Sequence, residues 1–235
     1  MLSIVMHSIL GLAMLVGTIA AFFKWQQDGF EKKSPLSYFF YFFLVFSIFH
    51  FLLSLPLIFS ADLKIAGWGY DVAIASVFLL FFVGSKMAAY FYGLSMEKSG
   101  YTSFIILISG FATLIAQIAH SSLPVIGHDG FIYWNGNPIA SMIITISAYV
   151  YSFSLAYIMV GNFLKVSKTK ARLKLFLISA GWISIGISSV YFIANTQALI
   201  ISAFVFNFLG GISIACAFLV DDGGKRENKV VKSNI

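Results

Sequence analysis

Charge is what this chain has least of. Asp, Glu, Lys and Arg make up ten per cent of its 235 residues, against about a quarter in an ordinary soluble domain, which excludes that class. All nine acidic residues (Asp28, Glu31, Asp62, Asp71, Glu97, Asp129, Asp221, Asp222 and Glu227) read as loop or helix-end positions. No carboxylate is therefore expected at depth, and a proton pump built on intramembrane carboxylates is disfavoured. A lone cysteine, Cys216, excludes an internal disulfide. Of the four prolines only Pro56 falls well inside an apolar stretch, so the paired broken helices of inverted-repeat transporters are not evident. The four histidines show no HxxxH or HxH spacing, and no metal site is predicted from them. His120-Ser121-Ser122 does not make a hydrolase, because adjacent residues at a helix end do not face one another. No enzyme activity is expected.

What the chain does have is length of apolar run. Sixty per cent of its residues are hydrophobic, 26 of them phenylalanines, and seven stretches approach the roughly 20 residues that span a bilayer as helix. They are 3–23, 36–60, 70–96, 102–121, 139–164, 173–194 and 198–220. Unbroken apolar runs select helices over a barrel, so the expected fold is all-α, a polytopic membrane protein with a seven-transmembrane-helix bundle over 1–220. Residues 221–235 read as a short disordered cytoplasmic tail. The first stretch lacks a basic region before it and reads as a retained anchor rather than a signal peptide.

The net charge of +6 is arranged by side. Lys24, Lys32, Lys33, Lys98, Lys165, Lys168, Lys170, Arg172, Lys174, Lys225, Arg226, Lys229 and Lys232 fall on one side and Lys64 on the other. The excess of basic loops on the cytoplasmic side predicts an outside N-terminus and a cytoplasmic C-terminus, in a bacterial or archaeal cytoplasmic membrane. The same distribution turns the basic balance toward lipid and away from nucleic acid. Between the fourth and fifth stretches, Asp129-Gly130 flanked by short apolar runs predicts a small hairpin at the outer mouth of the bundle, with Pro138 opening the next helix.

Lys86 is the most informative single residue, because it lies in the otherwise uncharged run 72–96. An ammonium group at depth costs about 2.5–3.5 kcal/mol on insertion scales and usually faces a bundle interior. Counting about 1.5 Å per residue from each helix centre puts His50, Asn207, Trp182, Tyr149 and Tyr151 near the same depth, with Gln117 about 8 Å further out. These seven residues are the candidate ligand-binding set, with His50, Asn207, a ligand carbonyl or an anion as partners for Lys86. Each also has a structural reading: Lys86 as a snorkelling side chain, His50 as an imidazole bonded across helices, Asn207 and Gln117 as interhelical hydrogen-bonders, and Trp182 as core. His7, His120 and His128 group toward the outer side, while His50 and His120 differ too much in depth for a bis-histidine haem.

The plan resembles that of microbial rhodopsins in helix number, sidedness, length and mid-helix Trp182. That resemblance implies a chromophore lysine on the seventh helix, and 198–220 contains none, so no function carries over. The plan is also similar to the seven-helix sensor regions of some bacterial kinases, without an attached kinase. The favoured function is a receptor or sensor holding a small molecule in a midplane pocket. It would act through its cytoplasmic face, or through a partner protein docked on the basic loop 165–174. A small-solute or anion transporter or channel is the first alternative, and a redox or cofactor-binding subunit (haem or chromophore) the second. The sequence specifies no cofactor.

Overall fold

Short polar signals set the helix ends. The computed structural model describes residues 2–31, 34–60, 62–92, 96–119, 123–167 and 169–220. Helix α1 (Leu2–Gln27) closes with Gly29 at φ 74°, Gly29 N–H on Gln26 O and Phe30 N–H on Trp25 O, the paired bonds of a glycine C-terminal cap. Helix α2 (Pro35–Phe59) starts at Ser34, whose Oγ accepts from Ser37 N–H at 3.3 Å. Helix α3 spans Leu63–Tyr92 and α4 spans Met96–Ala119. Helix α5 (Pro138–Lys165) is capped by Asn137, whose Oδ1 accepts from Ile139 N–H at 2.8 Å and Ala140 N–H at 3.2 Å, with Pro138 at the first helical position. Helix α6 (Thr169–Ser188) runs into a 3₁₀ segment, Ser189–Ile193, and α7 covers Gln197–Leu219.

Among the described residues these are seven α-helices, six of them long and apolar enough to cross a membrane. The apolar part of α4, Ser103–Ala119, is shorter. Large apolar side chains such as Val16, Phe111, Ile139 and Leu164 lie on the outside, while Ser47, His50, Ser54, Thr113, Gln117 and Ser152 are buried. A protein dissolved in water sorts these classes the other way round; in lipid, polar groups must find partners inside. The chain is an integral membrane protein. Consecutive helices pack on one another, α7 returns to α1, and α3 also meets α5, so the bundle closes.

Two expected boundaries move. The third stretch was expected to open at Tyr70, but α3 begins at Leu63, where Asp62 Oδ1 accepts from Lys64 N–H at 2.8 Å. Asp71, expected at a helix end, is therefore about two turns inside α3. The sixth stretch was expected to be one helix, but it tightens at Ser188. Ser188 Oγ donates to Ile185 O and Ser189 Oγ to Gly186 O, both at 2.7 Å, and such back-bonds compete with regular helix. The expected hairpin is present: β1 (Val125–Ile126) pairs antiparallel with β2 (Ile132–Tyr133), and Gly130 sits at φ 78° in the turn. Leu2 N–H donates to Gly130 O and Ile132 N–H to Ser3 Oγ, each at 3.0 Å, which docks the hairpin on the start of α1. The tail 221–235, Lys32, Lys33, His120 and Lys168 lie outside the described residues.

Gly181, Ser184 and Ser188, and Gly211 with Ala215, are small residues at three-to-four spacing, a pattern in the sequence that predicts close seating of α6 on α7. Gly181 takes part in that seating, but its counterpart is Gly210. A Cβ on Gly181 would come 2.9 Å from Gly210 O, and one on Gly210 would come 2.9 Å from Gly181 O and 2.8 Å from Ile185 Cγ1. Gly211 instead faces Met14 of α1. Gly181→Val and Gly210→Val are each expected to destabilise the bundle by about 1–3 kcal/mol through overpacking, read as a lower unfolding midpoint in detergent. Gly161→Ala, where nothing lies within 4 Å of the added carbon, should leave the midpoint unchanged or raise it.

Candidate functional site

The 3₁₀ segment after α6 turns Tyr191 into the bundle, where its hydroxyl meets α1 and the segment after β2, and through them α2 and α3. Trp134, just after β2, donates its indole Nε1–H to the Tyr191 oxygen. The Tyr191 hydroxyl lies 2.8 Å from Nε2 of His7 on α1. Nδ1 of His7 lies 3.0 Å from Nδ1 of His50 on α2. The Trp134 ring stacks on Tyr70 of α3, centroids 4.9 Å apart and planes 5° from parallel. His7 and His50 are buried. Of the two facing nitrogens one must carry the hydrogen and the other must not, so the pair cannot hold two imidazolium ions. The antiparallel register of α1 and α2 makes the contact. Ser47 Oγ donates to Gly11 O at 2.9 Å, and one turn further along the same register His50 comes level with His7.

Beside this contact is a cavity of about 60 Å³, room for about four to six water-sized groups. Phe42, Phe46, Phe49, Phe81 and Phe204 form much of its wall, and among the described residues no Asp, Glu, Lys or Arg lines it. Three polar atoms in the wall have no hydrogen-bond partner within 3.5 Å among the described residues: His50 Nε2 on α2, Trp182 Nε1 on α6 and Asn207 Oδ1 on α7. Asn207 sits beside the His50 imidazole, and Trp182 is held edge-on by Phe42, with ring centroids 5.0 Å apart.

No protein-family model, curated protein or solved structure matches this chain.

Of the seven residues singled out in the sequence, the fold brings His50, Asn207 and Trp182 to this cavity. Tyr151 is adjacent: its ring lies 5.9 Å from that of Trp182, while its hydroxyl packs over Gly84 of α3 and has no hydrogen-bond partner within 3.5 Å among the described residues. Tyr149 stacks on Phe153 with centroids 6.0 Å apart and is outside the wall. Gln117 accepts from Asn137 N–H at 2.8 Å and serves the start of α5. Lys86 is half-buried, with Nζ 5.5 Å from the Phe82 ring centroid, and is not among the lining side chains. Sequence reasoning missed His7 and Tyr191. His7 was grouped with His120 and His128 by its distance from the helix centre, and the signal that corrects this is the register set by Gly11 and Ser47.

Outside the spans, the hairpin has its own polar centre. Asp129 Oδ2 accepts from the Tyr133 hydroxyl at 2.6 Å and Oδ1 from Phe131 N–H at 3.1 Å. The Tyr133 bond, then the backbone bond, hold the Asp129 carboxyl below the usual carboxylate range, and the same bond raises the Tyr133 phenol. Because the folded value is the lower one, the stabilisation is complete above the unfolded carboxylate range and is lost as pH falls through the folded value. Protection of the hairpin amides, taken relative to their intrinsic exchange rates at each pH, should therefore fall on acidification below about pH 4, and Asp129→Asn should already show reduced protection at pH 7.

Tyr191→Phe removes the oxygen to which Trp134 donates and the hydroxyl facing His7. It is expected to cost about 1–3 kcal/mol, the penalty of leaving buried groups unpaired. Adding Trp134→Phe should cost much less than it does alone, so the double-mutant cycle measured by unfolding is non-additive.

Proposed function

We propose that this protein is a receptor or sensor, not an enzyme, that holds a small molecule in the cavity lined by α1, α2, α3, α5, α6, the 3₁₀ segment and α7. The observation that carries the reading is the convergence of His50 Nε2, Trp182 Nε1 and Asn207 Oδ1, none with a hydrogen-bond partner within 3.5 Å among the described residues, on one aromatic-walled space. Buried polar atoms are nearly always bonded, and an apolar pocket with a few convergent polar groups is the usual form of a ligand site. The wall contains no carboxylate to orient a general base, which supports binding rather than turnover.

In this reading all seven helices cross, with the hairpin outside and the basic residues around the α5–α6 connection in the cytoplasm. Lys165 ends α5, and the Arg172 guanidinium lies 4.6 Å from the Phe163 ring centroid. The remaining basic residues of 165–174 are the place for anionic lipid or a cytoplasmic partner protein.

The test is ligand stabilisation of the chain in lipid nanodiscs, screened with small neutral fragments. A fragment at one hundred times its dissociation constant is expected to add about 2.7 kcal/mol to stability, and Trp182→Phe and Asn207→Leu should each weaken binding about tenfold. If liposomes containing only this protein pass solutes rapidly and saturably, with no fragment stabilising it, the receptor reading is replaced by transport.

A further inference from the structure

Direction in the chain of bonds from Trp134 to His50 is fixed by one chemical fact: an indole nitrogen donates and never accepts. Trp134 Nε1–H occupies the Tyr191 oxygen from one side, so among the described residues the hydroxyl hydrogen of Tyr191 has His7 Nε2 as its one acceptor within hydrogen-bond reach. His7 Nε2 is then the acceptor, and with the ring neutral its hydrogen sits on Nδ1. That N–H donates to His50 Nδ1 across 3.0 Å, which leaves the His50 hydrogen on Nε2. The reverse order strands the Tyr191 hydrogen without an acceptor in a buried place, at the cost such orphans carry. Every donor in the series therefore points the same way, from the hairpin toward the cavity.

The cavity end of the series follows. His50 Nε2–H and Trp182 Nε1–H are both donors and both belong to buried rings; neither has an acceptor within 3.5 Å among the described residues, and the Asn207 side chain lies beside the His50 ring. Only Asn207 Oδ1 offers an acceptor among the orphaned atoms of the wall. The wall is otherwise largely aromatic and aliphatic, and among the described residues it carries no carboxylate or primary amine, so an ion entering it would lose its hydration without a counter-charge.

Resting on the ligand-site reading above, we propose that the site selects a small neutral molecule with a hydrogen-bond acceptor, a ketone or similar carbonyl on a compact apolar body. Its oxygen would be read by the N–H groups of His50 and Trp182. Trp134, Tyr191 and His7 act as positioning residues: they touch no ligand but set which His50 nitrogen carries the hydrogen.

Three probes of equal heavy-atom count separate the possibilities: cyclopentanone, methylenecyclopentane, which replaces the oxygen by a CH₂ group, and the cyclopentylammonium ion. Binding is followed in nanodiscs by the ¹⁵N and ¹H signals of the Trp182 indole and the His50 ring. The ketone is expected to bind about tenfold tighter than the alkene and to move the Trp182 N–H signal downfield. The ammonium ion should not bind. In Trp182→Phe and His50→Leu the ketone should fall to the affinity of the alkene, whose own binding changes little. Without any ligand, the ring ¹⁵N shifts should show His50 protonated on Nε2, and Trp134→Phe should mix the two tautomers and reduce the ketone preference. His50 protonated on Nδ1, or equal binding of ketone and alkene, overturns this inference while leaving the ligand site standing. Tight ammonium binding overturns it too. Failure of all three probes to perturb either signal in folded protein removes the ligand site itself.

Discussion

The Tyr191 hydroxyl is the junction on which this bundle depends. It joins the connection after the hairpin, the end of α6 and, through His7, both α1 and α2. In water the loss of such a bond is partly replaced by solvent. Inside a membrane bundle it is not, so orphaning one group costs more than a single interhelical bond contributes, about 0.6 kcal/mol on average. A series of bonds with one shared direction also behaves as a unit: neither histidine can change tautomer without the other. The 3₁₀ turn is what places Tyr191 there. Its tighter winding, three residues per turn instead of 3.6, rotates the side chains after Ser188 relative to a continued α-helix.

Packing without a hydrophobic driving force does the remaining assembly. Lipid tails are as apolar as leucine, so helices associate through close contact and a few polar links. Phe51 and Phe43 of α2 lie over Gly11 and Gly17 of α1, Gly181 meets Gly210 backbone to backbone, and Met14 fills the notch at Gly211. Each glycine marks a place where one helix receives a large side chain or a backbone from the next. The cavity lies where this close packing gives way to rings too large to interdigitate: Phe42, Phe46, Phe49, Phe81 and Trp182.

Much of this was legible in the chain. Apolar run length gave the helices, Asp129-Gly130 gave the hairpin, Pro138 gave the start of α5, and Gly181 marked the α6 surface that meets α7. These are local signals, readable without knowing neighbours. The start of α3 was not legible from apolarity, because Asp62 caps a first turn that carries Lys64 and sits outside the apolar window. The His7–His50 contact failed for a different reason. Measuring depth from each helix centre assumes that all helices share one midplane, whereas two helices meet by register, set here by Gly11, Gly17 and Ser47. Lys86 was singled out by the cost of its charge, but that cost says only that the ammonium group must be accommodated, not that it faces a ligand.

Helix α4, whose apolar part is short, shows how such a bundle holds a helix by its neighbours. Helix α4 is pinned at both ends by polar contacts. Near one end Asn137 N–H donates to Gln117 Oε1 at 2.8 Å and Asn137 Nδ2 to Ala116 O at 3.3 Å, which ties α4 to the cap of α5. Near the other, Ser85 and Ser103 hydroxyls lie 3.1 Å apart and join α3 to α4. Between them Gly110 receives the Phe78 ring. Apolar length therefore measures how readily a helix would sit in lipid by itself, while these contacts measure how firmly it is held by its neighbours. A helix weak in the first property is held here by the second. Gln117 thereby has a role that its depth alone did not reveal: it is spent on the α4–α5 joint, and the cavity is left to the polar groups of α2, α6 and α7.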